Sequence, residues 1–208
     1  MYSIIKGDQC VPTLWKNGLG ETTELAINDG GDLTSFDWRI SMAKVSHDGL
    51  FSHFNGYYRQ LVLIKGHGIS LSHLDVKTSL PLADDNLTQF LDLGEFDGGN
   101  TTFGQLLDGE ITDFNIITNK ASVESKVKLV TEPQSFIIET TDLLFVYSCN
   151  SEVKCKINTT AQSLSIKAGE LFQWTTTSKK VLKLTGEAFI VVQLTLKNIA
   201  AEDNKYLS

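Results

Sequence analysis

The chain has 208 residues and a mass of 23.0 kDa, enough to bury a sizeable core as one large domain or two fused small ones. Hydrophobic residues at 41% beside charged residues at 21% exclude a disordered or collagen-like chain. A net charge of −7 excludes a basic stripe for nucleic acid or anionic lipid, and three cysteines are too few for a disulfide framework.

Thr, Ile and Val number 20, 15 and 12, against 9 Ala, so the best helix former is scarce and β-branched residues abound. Residues 22–27 alternate, with Leu25 and Ile27 opposite Thr22 and Glu24. In 36–42 the alternation is clearer: Phe36, Trp38, Ile40 and Met42 share one face, and Asp37, Arg39 and Ser41 share the other. Residues 58–64 run into the turn 65–68 and the strand 69–72, which makes a hairpin. Residues 74–87, with Pro81 and paired aspartates, read as a loop. A strand-like stretch, 86–96, then ends in a Gly-rich turn at 96–100. A short strand follows at 113–117, and 120–131 reads as a connecting segment between two halves. Further strands are predicted at 136–138, 143–147, 154–157, 163–166, 171–174, 181–184 and 189–194, before a polar tail from Asn198.

Short strands at such regular spacing indicate a sandwich or barrel. The stretch from Leu61 through Phe96 is echoed weakly from Leu143 through Trp174, an offset of about 80 residues. That echo fits two small jelly-roll modules in one chain. The expected division is 1–122 and 123–208.

Only two of the eighteen basic residues are arginines, Arg39 and Arg59. A planar guanidinium grips a carboxylate with two parallel hydrogen bonds, which lysine cannot do. The pair reads either as anion-binding groups in a cavity or as structural ion pairs with Asp37, Glu24 or Asp113. The glycine loop after Trp15 lacks the spacing of a phosphate-binding loop. His47 and His53 are six apart, as are His67 and His73, which is not the His-x-His spacing of a barrel metal site; exposed loop histidines are expected, and no metal or cofactor. No serine or cysteine sits in a nucleophile-elbow setting. Cys10, Cys149 and Cys155 read as free thiols. The opening residues lack the basic stretch and apolar run of a secretion leader, and no apolar run approaches the roughly 20 residues of a membrane span. A cytoplasmic location is therefore expected, with no membrane and no nucleic-acid partner.

Several stretches together resemble the HutD/Ves family: Trp15-Lys16-Asn17-Gly18 followed by Glu21-Thr22-Thr23-Glu24-Leu25-Ala26, then 36–43, 48–59 and 107–115. Their order and spacing match over about 1–120, and the rest follows more loosely. Departures fall at Leu19, where the family usually has glycine, and at Asn119-Lys120, where an arginine pair is common. The resemblance implies a bicupin, two cupin-like β-barrels side by side without the usual metal-binding histidines. It also implies a link to histidine utilisation. Family members are thought to bind a formylated or formimino glutamate and to regulate flux; others are described only as stress-induced proteins. Carried onto this chain, the motif positions expected to line a pocket are Lys16, Asn17, Arg39, Arg59, Asp113 and Asn115.

Thr22, Glu24, Ser41 and Tyr57 complete the candidate ligand-binding set. If the polar strand faces point into a barrel lumen they make a cavity for a small dianion with an amide; if they point to solvent they are ordinary surface. Three readings stand at this point. One is a non-catalytic binding protein for a small anion such as formylglutamate. The second is a metal-independent cupin hydrolase or isomerase with Glu24 or Asp113 as base. The last is an interaction protein that forms a homodimer through a sheet edge.

Overall fold

The computed structural model describes residues 1–15, 18–157, 163–176 and 180–197. Lys16 and Asn17 of the candidate set, and the polar tail from Asn198, lie outside the described residues.

Apart from one 3-10 turn (Gly7–Gln9), all regular structure among the described residues is β-strand. The first part of the chain supplies β1 (Tyr2–Lys6), β2 (Pro12–Leu14), β3 (Gly20–Ile27), β4 (Trp38–Val45), β5 (Gly49–Leu50) and β6 (Tyr57–Lys65). It continues through β7 (Ile69–Leu74), β8 (Asp85–Leu87), β9 (Leu93–Asp97), β10 (Thr101–Leu106) and β11 (Ile111–Asn119). The second part supplies β12 (Val123–Val130), β13 (Gln134–Glu139), β14 (Leu143–Ser148) and β15 (Val153–Ile157). Then come β16 (Ser163–Ile166), β17 (Glu170–Thr175), β18 (Val181–Gly186) and β19 (Phe189–Leu196).

These strands form four sheets. A six-stranded sheet, β2-β3-β4-β11-β6-β9, faces the four-stranded sheet β5-β10-β7-β8. A five-stranded sheet, β1-β17-β14-β19-β12, faces the four-stranded sheet β13-β18-β15-β16. Adding eight to each strand number converts β4-β11-β6-β9 into β12-β19-β14-β17, and β5-β10-β7-β8 into β13-β18-β15-β16. The weak sequence echo is thus a repeat of topology, two sandwiches of one plan. One segment crosses between them: residues 2–6, inside the expected 1–122 unit, pair antiparallel with β17, Ile4 opposite Phe172.

The sandwiches are open, where closed barrels were expected. Between β8 and β9 the backbone N–H groups of Thr88 and Gln89 donate to the Asp92 carboxylate, which makes a tight turn, and the two strands share no ladder. Two other expectations also change. Residues 120–131 are not a connector but contain β12, whose Val127 lies opposite Val192 of β19. The expected loop 74–87 ends in β8, paired with β7.

Three apolar cores separate the layers. One lies inside each sandwich, and the largest lies between the two big sheets. There Trp38 meets Phe145 with ring centroids 5.1 Å apart, and Phe114 stacks on Tyr147 at 4.8 Å. Burying this face removes from water the side chains of Ile40, Val62, Ile116, Ile190 and Val192, each worth about 1.5–3 kcal/mol. This middle layer decides the site. It occupies the apolar face of β4, β6 and β11, so their polar face is turned into the first sandwich. No helix among the described residues is long and apolar enough to cross a membrane.

Candidate functional site

On β4 the residues alternate as the sequence requires. Trp38, Ile40 and Met42 meet the five-stranded sheet, while Arg39, Ser41, Ala43 and Val45 turn inward. On β11 the inward set includes Asp113, Asn115 and Ile117, and on β6 it includes Arg59, Leu61 and Leu63. The register places Ile117 opposite Arg39 on one side and Arg59 on the other, and Asn115 opposite Ser41 and Leu61. Antiparallel pairing therefore brings together arginines twenty positions apart. Thr22 and Glu24, two positions apart on β3, share the inward face by ordinary alternation, opposite Ala43 and Ser41.

Here the first sandwich holds a cavity of about 800 Å³, within the range of small-molecule sites. Six of the ten candidate residues line it: Thr22, Glu24, Arg39, Ser41, Arg59 and Asn115. Asp113 lies behind the wall, fully buried, where Asn115 Nδ2 donates to its Oδ1. Tyr57 is not among the lining residues; its hydroxyl donates to the carbonyl of Phe36 at 2.8 Å and ties the 28–37 loop to β6.

Arg59 is held on all sides. Its guanidinium carbon lies 5.3, 5.5 and 5.1 Å from the ring centroids of Phe51, Phe54 and Phe96. Nη2 donates to Asn115 Oδ1 at 2.9 Å and Nη1 to the Ser52 carbonyl at 3.3 Å, while the buried Nε has no partner among the described residues. Burial lowers its pKa to about 10, with Asp113 opposing the shift and Arg39 adding to it. Burial likewise pushes the Asp113 carboxyl up to about 7, although Arg59 and Asn115 both favour its charged form. Arg39 donates through Nε to Glu24 Oε2 at 2.9 Å, and its two terminal nitrogens have no protein partner among the described residues. Arg39 is ion-paired with Glu24, one of the partners the sequence offered, and it also lines the cavity.

The remaining wall is aromatic. Trp15 donates from Nε1 to Thr22 Oγ1 at 2.7 Å and meets Phe51 edge-on at 6.4 Å. Phe51 sits where it does because residue 104 is glycine: a Cβ there would lie 2.5 Å from Phe51 Cε2. Leu14, Leu33 and Leu50 form an exposed apolar rim at the mouth.

A family model described as HutD matches residues 8–192, which takes in every strand named above except β1 and the last residues of β19. The chain belongs to the HutD family. An uncharacterised 21.2 kDa protein from Pseudomonas putida, named for its place in the hutC 3′ region, is 38% identical over 103 residues, half of each chain. Protein Ves from Escherichia fergusonii is 31% identical over 150 residues, covering 72% of this chain and 74% of that one. The match thus spans only about half of the first relative's length. The structure of HutD from Pseudomonas fluorescens superposes with a TM-score of 0.80 at 27% identity, over 95% of this chain and all of that one. Oxalate decarboxylase from Lactobacillus farciminis, at 12% identity and a TM-score of 0.59 over 94% of this chain and 86% of that one, shares the fold alone. Through the P. putida relative, the HutD family is linked to a histidine-utilisation region.

Within this HutD-family chain the histidines are dispersed. His53 lines the cavity at its exposed mouth, and the His47 ring contacts the Ser46 hydroxyl at 3.2 Å. His73 departs from the exposed loop position expected of it: it is buried on β7 between Thr102 Oγ1 at 2.9 Å and Asp85 Oδ2 at 3.2 Å. Among the described residues, no group of three or more His, Cys, Asp or Glu side chains is placed to hold a metal ion. The three cysteines are free, and burial raises Cys149 and Cys155 to about 12. The wall residues Trp15, Phe51 and Phe54, and Gly104 behind Phe51, were missed as site residues. The first three stand in the 15–26 and 48–59 stretches that carry the resemblance, which was the available signal.

The second sandwich uses the same plan differently. Leu144 lies beside Trp174 across the β14–β17 ladder as Arg59 lies beside Phe96 across β6–β9. Val146 and Val191 belong to the same apolar core. The cavity described here belongs to the first sandwich, whose corresponding face carries Arg59 and Asn115.

Proposed function

We propose that this chain is a non-catalytic small-molecule-binding protein that regulates histidine utilisation, and that its ligand is a formylated or formimino glutamate. On this reading the paired sandwiches are a bicupin, one module binding and the other serving as a packed platform. The observation that carries the proposal is the convergence of Arg39, Arg59 and Asn115 on one cavity. Two guanidinium groups flanking Ile117 give a dicarboxylate two cationic anchors, and charge-assisted hydrogen bonds of this kind are roughly twice as strong as neutral ones. Glu24 supports the binding reading rather than the catalytic one, because its carboxylate is engaged by Arg39 instead of standing free as a base. Asp113 is sealed behind Asn115, away from any ligand in the cavity. The likeness to HutD from Pseudomonas fluorescens and the hutC-region relative support the pathway.

A thermal-shift titration tests this, using N-formylglutamate, formiminoglutamate, urocanate, glutamate and histidine. A ligand at 100 times its Kd stabilises by about 2.7 kcal/mol, a shift of several degrees for a chain this size. The expected result is a shift with the acylated or formimino glutamates that Arg59→Met abolishes while folding is retained. No shift with any of the five compounds would overturn the ligand assignment.

A further inference from the structure

Asn115 stands between two groups of opposite hydrogen-bonding sense. Arg59 can only donate, and Asp113 presents Oδ1 to Asn115 as an acceptor whether it is ionised or carries a proton on Oδ2. The amide of Asn115 has one orientation that satisfies both, with Oδ1 toward Arg59 Nη2 and Nδ2 toward Asp113 Oδ1, and that is the orientation present. Its oxygen is thereby turned to Arg59, beside a guanidinium that repels a cationic group, and one of its two N–H groups is committed to Asp113. The second N–H has no protein partner among the described residues, and Asn115 lines the cavity. What Asn115 offers a ligand is therefore a donor. The guanidinium groups of the cavity have the same sense, the terminal nitrogens of Arg39 being free to donate, and the one carboxylate among the lining residues, Glu24, stands two strands from Asn115 and is paired with Arg39 Nε.

Resting on the binding reading above, we propose that Asp113 is a positioning residue that holds the Asn115 amide with a donor toward the cavity, so that the site takes ligands presenting a neutral acyl carbonyl oxygen and rejects those presenting a protonated imino group. A formyl or acetyl carbonyl accepts from the Asn115 N–H. A formimino group is cationic and donor-only in its protonated form, so it meets a donor at Asn115 and two guanidinium charges nearby. Asp113 touches no ligand itself; it acts through Asn115.

Isothermal titration calorimetry of the full chain with N-formylglutamate and formiminoglutamate tests this. The wild type is expected to bind the formyl compound at least tenfold more tightly. Asp113→Leu, which removes the acceptor while keeping the number of side-chain heavy atoms, is expected to bring the two affinities within threefold of each other. Asp113→Asn, which keeps a carbonyl acceptor toward Asn115 Nδ2, is expected to restore the preference; a merely structural role would change both affinities together and leave their ratio alone. Equal wild-type affinities, or tighter binding of formiminoglutamate, would overturn the proposal on the wild type alone, whatever the variants' folding. A preference that survives in Asp113→Leu overturns the role given to Asp113. Binding of neither compound overturns the ligand assignment and this proposal together, an outcome distinct from unselective binding.

Discussion

Arg59 donates to Asn115 across 2.9 Å with both side chains buried, and the two residues come from neighbouring strands 56 positions apart in sequence. A guanidinium in such a place has lost most of its water. It is held by one amide oxygen, one backbone carbonyl and three phenyl faces, and its Nε has no partner among the described residues. A buried charge left short of partners is costly, and an anion that reaches it recovers part of that cost. This is why the binding reading rests on Arg59 first and on Arg39 second.

Arg59→Lys keeps a positive charge and loses the planar fork. The lysine ammonium cannot bridge Asn115 and a ligand carboxylate in one plane, so affinity for the anionic ligand should fall by more than tenfold, about 1.4 kcal/mol. Calorimetric titration measures this. An affinity within threefold of wild type would mean that charge alone, not geometry, serves the site.

Glu24→Gln removes the carboxylate that partly neutralises Arg39. Anion affinity should rise a few-fold, and the gain should shrink between low and physiological salt because the Glu24 side chain is 40% exposed and screened. Loss of binding instead would show that Glu24 holds Arg39 in its binding geometry.

Asp113 makes stability depend on pH in a direction opposite to an ordinary paired carboxylate. Its ordinary value is 3.8 and burial pushes it up to about 7 in the folded chain. Between about pH 4 and pH 7 the unfolded chain releases the proton that the folded chain keeps, so stability falls as pH rises through this window. The contribution is fully present below pH 4 and lost by the time the folded group ionises. Asp113→Asn does not titrate there, so its Tm relative to wild type should climb from pH 4 to pH 7 and level off above. Parallel Tm curves for the two proteins would contradict the placement of Asp113.

Phe145 sits between the two large sheets against Trp38 and is fully buried. Phe145→Ala should cost about 3–5 kcal/mol. Because that core joins the sandwiches, calorimetry should show one transition moving to lower temperature. Two separated transitions in the wild type would mean that the sandwiches melt as independent units.

Much of this architecture was legible beforehand. Threonine and isoleucine in excess over alanine, with turns every eight to twelve residues, leave little room for anything but β-sheet, and the echo from Leu61 to Leu143 was the trace of a duplicated strand order. Arg39 and Arg59 stood out because arginine is otherwise absent. Other features were hidden. β12 was read as a connector because its alternating Glu124, Lys126 and Lys128 look like a solvated segment, and only its ladder with β19 makes it a strand. His73 was placed among exposed loop residues because His67, six positions earlier, stands beside a turn; burial between Thr102 and Asp85 depends on strands distant in sequence.

The amino-acid sequence by itself determined most of the strands and their alternation, because those follow from side-chain chemistry at a period of two, and it showed the scarcity of guanidinium groups. It left open which face of β4 met water. Alternation assigns Arg39 and Ser41 to one side and Trp38 and Ile40 to the other, and a strand with its polar side outward reads the same as one with its polar side around a cavity. Only the tertiary structure decided between them. The five-stranded sheet of the second sandwich covers the apolar side, so the polar side has nowhere to go but inward, and there it meets Arg59 and Asn115.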